Sequence, residues 1–200
     1  RLCTSLCPVR LEDHVTLLTG ALHDTFGYQG DTSGHDGLGN VNLMCTIERR
    51  RGTGLTLGIL YLHAARAARW GVSALTFPGR FLIRLQTPHG QRAVLDPLGN
   101  GEVLTSRRMR RLIKEALGPM TELIPAHYQP MNNRDILLRL QDDVKTQHLR
   151  AGRLDAALKA VETMLIFAPD APGLWREVGL IQNRLGNVGA ALLHELYGRL

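Results

Sequence analysis

Glu48-Arg49-Arg50-Arg51-Gly52 leads into a helical run from Leu55 to Trp70. Gly71 follows, and the chain continues through Phe77-Pro78-Gly79-Arg80-Phe81-Leu82-Ile83-Arg84-Leu85 to Val94-Leu95-Asp96-Pro97. Within the run, Leu57, Leu60, Tyr61, Ala64, Ala67 and Ala68 fall on one helical face, and the alanines allow close approach to a neighbour. Gly71 is placed to cap the helix C-terminus. Residues 74–77 read as a strand, and 81–85 and 92–96 as a hairpin around Pro88-His89-Gly90. A three-residue loop of this kind commonly ends in a left-handed glycine, which pairs Thr87 with Gln91. Carried along the strands, that register puts Leu82 opposite Asp96 and Arg80 diagonal to Asp96.

Upstream, Leu11, Val15, Leu18, Leu22 and Phe26 predict an amphipathic helix over 10–26. Cys3 and Cys7 precede it without further ligands at matched spacing, so they read as ordinary thiols. The glycine-rich stretch 31–40, DTSGHDGLGN, lacks the preceding strand and following Lys-Ser/Thr of a phosphate loop and reads as a connector. A short helix is expected over 41–50, with Cys45 as a core thiol beside Met44 and Ile47.

Downstream, Met109, Leu112, Ile113, Ala116 and Leu117 share one face of a helix, and Arg107, Arg108, Arg110, Arg111 and Lys114 cover the other. No aromatic residue interleaves with these cations, which argues against nucleic-acid binding and for a solvated face. Pro119, Pro125 and Pro130 mark a linker. Beyond it the chain repeats. Gly152 and Gly186 stand 34 residues apart, as do Leu154 and Val188, Ala156 and Ala190, Ala157 and Ala191, and Leu158 and Leu192. That period, with small residues at these places, is the tetratricopeptide pattern. Pro169 closes the first repeat and Trp175 sits in the first helix of the second. Gln182 and Lys145 depart from the pattern, Lys145 standing where a small residue is usual. The predicted helices are 134–151, 154–168, 173–185 and 188–200.

The chain has 200 residues, 44% apolar and 21% charged, enough for a real core. A net charge of +6 and a pI near 9.7 suit acidic partners. No apolar run approaches a membrane span or a signal-peptide core. Three cysteines, an odd number, suit a reducing cytoplasm rather than a disulfide framework. The first residue is Arg1 rather than methionine, and the last falls inside a repeat, so further chain is expected at both ends. His14, His23, His35, His89, His127, His148 and His194 show no ligand spacing, and neither a metal nor a cofactor is expected.

Arg50-Arg51-Gly52, Leu60-Tyr61-Leu62, Pro78-Gly79-x-Phe81-Leu82 and Asp96-Pro97 together resemble the SirB branch of transglutaminase-like proteins, whose members carry a tetratricopeptide pair after the core. The resemblance covers roughly residues 10–198. It implies a papain-like core in which a Cys at the helix start, a His on the first hairpin strand and an Asp on the second form a triad. Such a triad works because a paired imidazole deprotonates the sulfur and the carboxylate orients the imidazole. Counting back from Gly71, the nucleophile position falls at Thr56, where the SirB branch often has a hydroxyl residue. The His position holds Arg80, and Asp96 alone matches. Arginine stays protonated and cannot act as a base. His63 lies two turns beyond Thr56, too far to take its place. The expectation is a degenerate site of Thr56, Arg80 and Asp96 in which Arg80 forms an ion pair with Asp96. The alternative for Asp96 is a turn role before Pro97.

The expected fold is α+β: a transglutaminase-like (papain-like) core with a small antiparallel sheet over 1–118, a linker over 119–132, and an all-α tetratricopeptide pair over 133–200. The leading function is protein–protein interaction in bacterial regulation without catalysis. The rivals are a hydrolase or acyltransferase using Thr56 or Cys45, and, more remotely, a nucleic-acid binder. By the 34-residue register, Arg139, Asp142, Thr146 and Arg150 of the first repeat and Arg176, Leu180 and Arg184 of the second face a partner. The excess of arginine favours an acidic segment or a C-terminal carboxylate as ligand.

Overall fold

A computed structural model describes residues 10–31 and 37–189. Cys3, Cys7, His35, Ala190, Ala191, Leu192, His194 and nearly all of the predicted helix 188–200 lie outside the described residues. The chain divides into two compact units, the first ending at Asn132 and the second starting at Asn133.

The first unit opens with helix α1, Leu11–Thr19, which loosens into a π-helical turn over Gly20–Thr25. The predicted helix 10–26 is therefore present, but its last turns are wider than α. The two-residue strand β1, Gln29–Gly30, precedes short helices α2, Gly37–Asn40, and α3, Leu43–Arg49. The Asn42 side chain caps α3 by accepting from the backbone N–H groups of Met44 and Cys45. Strand β2, Arg51–Gly52, pairs in parallel with β1. The central helix α4 spans Gly54–Ala67 and is capped by Thr53, whose hydroxyl accepts from Thr56 N–H.

Strands β3, Gly71–Leu75, β4, Leu82–Gln86, β5, Arg92–Asp96, and β6, Glu102–Val103, follow with helix α5, Ser106–Leu117. Strand β7, Pro130–Met131, completes an antiparallel sheet of order β6-β5-β4-β3-β7. The segment expected to be only a linker thus supplies an edge strand, pairing Ala74 with Met131 and Leu75 with Pro130. Proline is tolerated there because an edge strand needs no donor on its outer side.

Leu75, Phe77 and Leu82 pack against Leu104, Met109, Leu112 and Ile113, so α5 buries Met109, Leu112 and Ile113 of its apolar stripe, whereas Ala116 and Leu117 of the same predicted stripe are exposed. Helix α4 lies against β3 and β4, and α1 against β4 and β5. The buried residues of α4 are Leu55, Thr56, Leu57, Gly58, Tyr61, Leu62 and Ala65, so Leu57 and Tyr61 of the expected face are buried, whereas Ala67 and Ala68 are exposed. Gly58 lets the Phe81 ring lie close against the helix, since a Cβ there would stand 2.3 Å from that ring. Gly71 does not cap α4. Arg69 takes the left-handed position instead, at φ 60°. Gly71 opens β3, where a Cβ would meet the Gln86 carbonyl oxygen at 2.6 Å.

The second unit consists, among the described residues, of helices α6, Asn133–Arg150, α7, Leu154–Phe167, and α8, Pro172–Arg184. Gly152 and Gly186 both adopt left-handed φ, 69° and 84°, in the turns that end the first helix of each repeat. Ala157 is fully buried with Val161, Val178 and Ile181, and Leu149 packs against that cluster. The Trp175 indole N–H donates to the Pro169 carbonyl at 2.7 Å, tying the start of α8 to the turn before it.

Candidate functional site

The hairpin register is the one its turn dictates. Thr87 N–H donates to the Gln91 carbonyl, Gly90 sits at φ 83°, and Ile83 pairs with Leu95. One residue further along, this places Leu82 beside Asp96 and brings Arg80 within reach of it. The Arg80 Nη1 donates to Asp96 Oδ2 at 2.6 Å, and Asp96 Oδ1 accepts from Leu98 N–H at 3.0 Å. The Asp96 carbonyl accepts from Gly99 and Gly101 N–H groups, so the residue also organises the turn after β5. Asp96 is buried, and the Arg80 side chain is about one-third exposed.

Thr56 is fully buried in the first turn of α4. Its hydroxyl lies 3.3 Å from the carbonyl oxygens of Asn40 and Thr53, to which it donates, and 3.4 Å from the Thr53 hydroxyl. None of its hydrogen bonds runs to Arg80 or Asp96. The structure thus brings two of the three candidate residues together and ties the third into local backbone. Gly52 packs beneath Thr56: a Cβ there would lie 2.4 Å from Thr56 Oγ1 and 2.7 Å from Thr46 Oγ1.

Tyr61 is also part of this neighbourhood. Burial pushes its phenol up to about 12, with Asp24 and Asp96 adding to the shift, so it is a neutral hydroxyl at physiological pH. Cys45 on α3 is a free thiol, half-buried rather than in the core, with Met44 and Ile47 beside it exposed. Among the described residues, no three His, Cys, Asp or Glu side chains gather as metal ligands would.

A family model for the transglutaminase-like superfamily matches residues 5–142, and one for the tetratricopeptide repeat matches residues 144–193. The chain belongs to the transglutaminase-like superfamily. It is 28% identical over 163 residues to a UPF0162 protein of Vibrio cholerae, an alignment covering 82% of this chain and 60% of that one. It is 25% identical over 139 residues to protein SirB1 of Salmonella typhimurium, covering 70% of this chain and 51% of SirB1. It is 23% identical over 175 residues to the UPF0162 protein YchA of Escherichia coli, covering 88% and 65%. The chain therefore spans about three-fifths of the length of such relatives. No solved structure matches it. Repeats of the second type generally mediate protein–protein contacts, and the superfamily core here comes joined to such a module. No helix among the described residues is long and apolar enough to cross a membrane.

The second candidate set lies on the repeat module. Arg150, Arg176, Leu180 and Arg184 are exposed, and Arg176, Leu180 and Arg184 form one stripe along α8 at four-residue spacing. Arg139, Asp142 and Thr146 on α6 are half-buried. Burial holds the Arg139 guanidinium below its ordinary range and Asp143 above the usual carboxylate range.

Lys145 is the feature the repeat pattern flagged without explaining. Its ammonium lies 2.6 Å from Asp142 Oδ1 and 2.6 Å from Glu177 Oε2, joining α6 to α8. Burial works against the charged form, but the hydrogen bonds from Asp142 and Glu177 outweigh it and raise the pKa above the ordinary value. The Asp142 carboxylate is therefore engaged within the module. Glu177 lies outside every motif read from the sequence.

Proposed function

We propose that this chain is a non-catalytic member of its superfamily that acts through protein–protein interaction in bacterial regulation. The observation that carries this reading is the ion pair of Arg80 with Asp96. A fixed cation stands where a general base is required, and the hydroxyl at the nucleophile position has its hydrogen bonds directed to Asn40 and Thr53. A hydroxyl without a base is a poor nucleophile at neutral pH. Thr56, Arg80 and Asp96 then serve the fold rather than a reaction.

The partner surface of this reading is the set Arg139, Asp142, Thr146 and Arg150 with Arg176, Leu180 and Arg184. The occupancy of Asp142 by Lys145 leaves the exposed stripe of α8 and Arg150 as the accessible part. Two arginines flanking a leucine match an acidic peptide with an apolar side chain between its carboxylates.

Two measurements test the reading. A thioester and amide turnover assay on purified protein is expected to show no activity. Activity that Thr56→Ala or Cys45→Ser abolished would establish the rival hydrolase or acyltransferase. Binding of acidic peptides is expected to weaken in the Arg150→Glu, Arg184→Glu double variant. Full retention of every partner by that variant would remove the proposed surface.

A further inference from the structure

A cavity lies at the opposite end of α4 from Thr56. Its volume is about 600 Å³, and its walls include His14 of α1, Arg69 and Trp70 after α4, Val72 of β3, and Gln86 and Thr87 at the end of β4. That volume lies within the about 300–1,000 Å³ common for small-molecule sites. Ala68 is twelve residues beyond Thr56, about 18 Å along a helix axis, so the cavity is separate from the Arg80–Asp96 pair.

Its walls hold a ring pair and one buried hydroxyl without a partner. The imidazole of buried His14 touches the Trp70 ring, with centroids 4.5 Å apart and planes tilted by 46°. The Thr87 hydroxyl is buried and unpartnered. Leaving such a group unsatisfied is costly, and native folds rarely do it without water or a ligand. Arg69 stands at the rim in a left-handed conformation, where glycine or asparagine is ordinary, and its guanidinium is in no ion pair among the described residues. Side chains kept at such positions cluster at functional sites.

The chemistry of these walls selects a ligand. Trp70 and His14 form an aromatic corner that, with Pro88, accepts a flat apolar ring. Burial lowers the His14 pKa, so at neutral pH its ring offers one donor and one acceptor rather than a charge. Among the described residues, the charge in the lining at neutral pH is therefore the cation of Arg69, and no carboxylate lines the cavity. Arginine binds a carboxylate through paired N–H donors. We propose that this cavity is a binding site for a small planar aromatic carboxylate, with the ring against Trp70 and His14 and the carboxylate at Arg69.

The test exploits the two tryptophans of the sequence. In the full chain carrying Trp175→Phe, the one remaining indole N–H resonance belongs to Trp70. It is followed by NMR while 1-naphthoate, 1-naphthamide or cyclohexanecarboxylate is titrated in. A saturable shift with 1-naphthoate is expected, with affinity at least about tenfold weaker for the other two probes, the loss of one charge-assisted or stacking contact. Arg69→Gln, at an exposed position, is expected to weaken 1-naphthoate by about the same factor while leaving the thermal midpoint unchanged. Absence of a saturable shift with 1-naphthoate overturns the proposal. So does equal affinity for the acid and the amide, or an unchanged affinity in Arg69→Gln.

Discussion

The Arg80 guanidinium lies 2.6 Å from a carboxylate oxygen of Asp96, a residue only 3% exposed. Asp96 keeps one further donor, Leu98 N–H, on its other oxygen. Arg80→Ala therefore leaves a buried carboxylate with half its partners. The expected loss of stability in the first unit is about 2–4 kcal/mol, below the cost of breaking a sealed pair because Arg80 is part-exposed. Urea unfolding followed through Trp70 in a Trp175→Phe background measures it. An unchanged midpoint would mean that the pair contributes nothing to the fold.

Gly52 is expected to tolerate no side chain. A Cβ would stand 2.4 Å from Thr56 Oγ1 and 2.6 Å from Thr46 Cγ2, and both threonines are fully buried. Gly52→Ala should cost about 1–3 kcal/mol through overpacking. The double variant Gly52→Ala, Thr56→Gly should recover part of that loss, because it removes the nearest obstructing atom. Equal instability of single and double variants would show that Thr56 is not the obstruction.

Lys145 ties α6 to α8 through Asp142 and Glu177. The fold binds this proton more tightly than the unfolded chain does. Its contribution is therefore fully present below the ordinary lysine value of 10.5 and is lost as pH rises through the higher folded value. Lys145→Met keeps the stem and removes the charge, and is expected to cost about 1–3 kcal/mol at pH 7. The difference between parent and variant, read through Trp175 emission, should shrink only in the alkaline range above 10.5. A gap already closed at pH 9 would contradict the assignment.

Ala157 occupies the contact between the repeat helices with no exposed surface. Ala157→Leu adds a side chain where Val161, Val178 and Ile181 leave no room. A destabilisation of about 1–3 kcal/mol is expected in the second unit. Calorimetry showing the same transition for parent and variant would argue against this packing.

Features set by a few neighbouring residues were legible in the sequence. The hairpin register followed from Pro88-His89-Gly90, because one left-handed glycine decides which residues pair. From that register came the meeting of Arg80 and Asp96. The spacing of Gly152 and Gly186 gave the repeat turns, and the apolar stripe of α5 gave its buried face. That position 80 carries a permanent cation could also be read directly from the chain.

Other features depended on which distant surfaces meet. Gly71 looked like a helix cap, but the proximity of Gln86 made it a strand residue. Ala67 and Ala68 at the end of α4 were expected on the buried face with Leu57 and Tyr61, but they are exposed, and Ala65 and Gly58 make the close approaches instead. Pro130 and Met131 read as linker until Leu75 and Ala74 offered them a strand to pair with. Lys145 met Glu177, and His14 met Trp70, across separations no local period encodes. Sequence by itself determined the backbone hydrogen bonding and patterning that act within a turn or a repeat. Tertiary structure alone decided the contacts that satisfy or strand individual side chains, because burial and pairing at long range depend on the summed packing of every element at once.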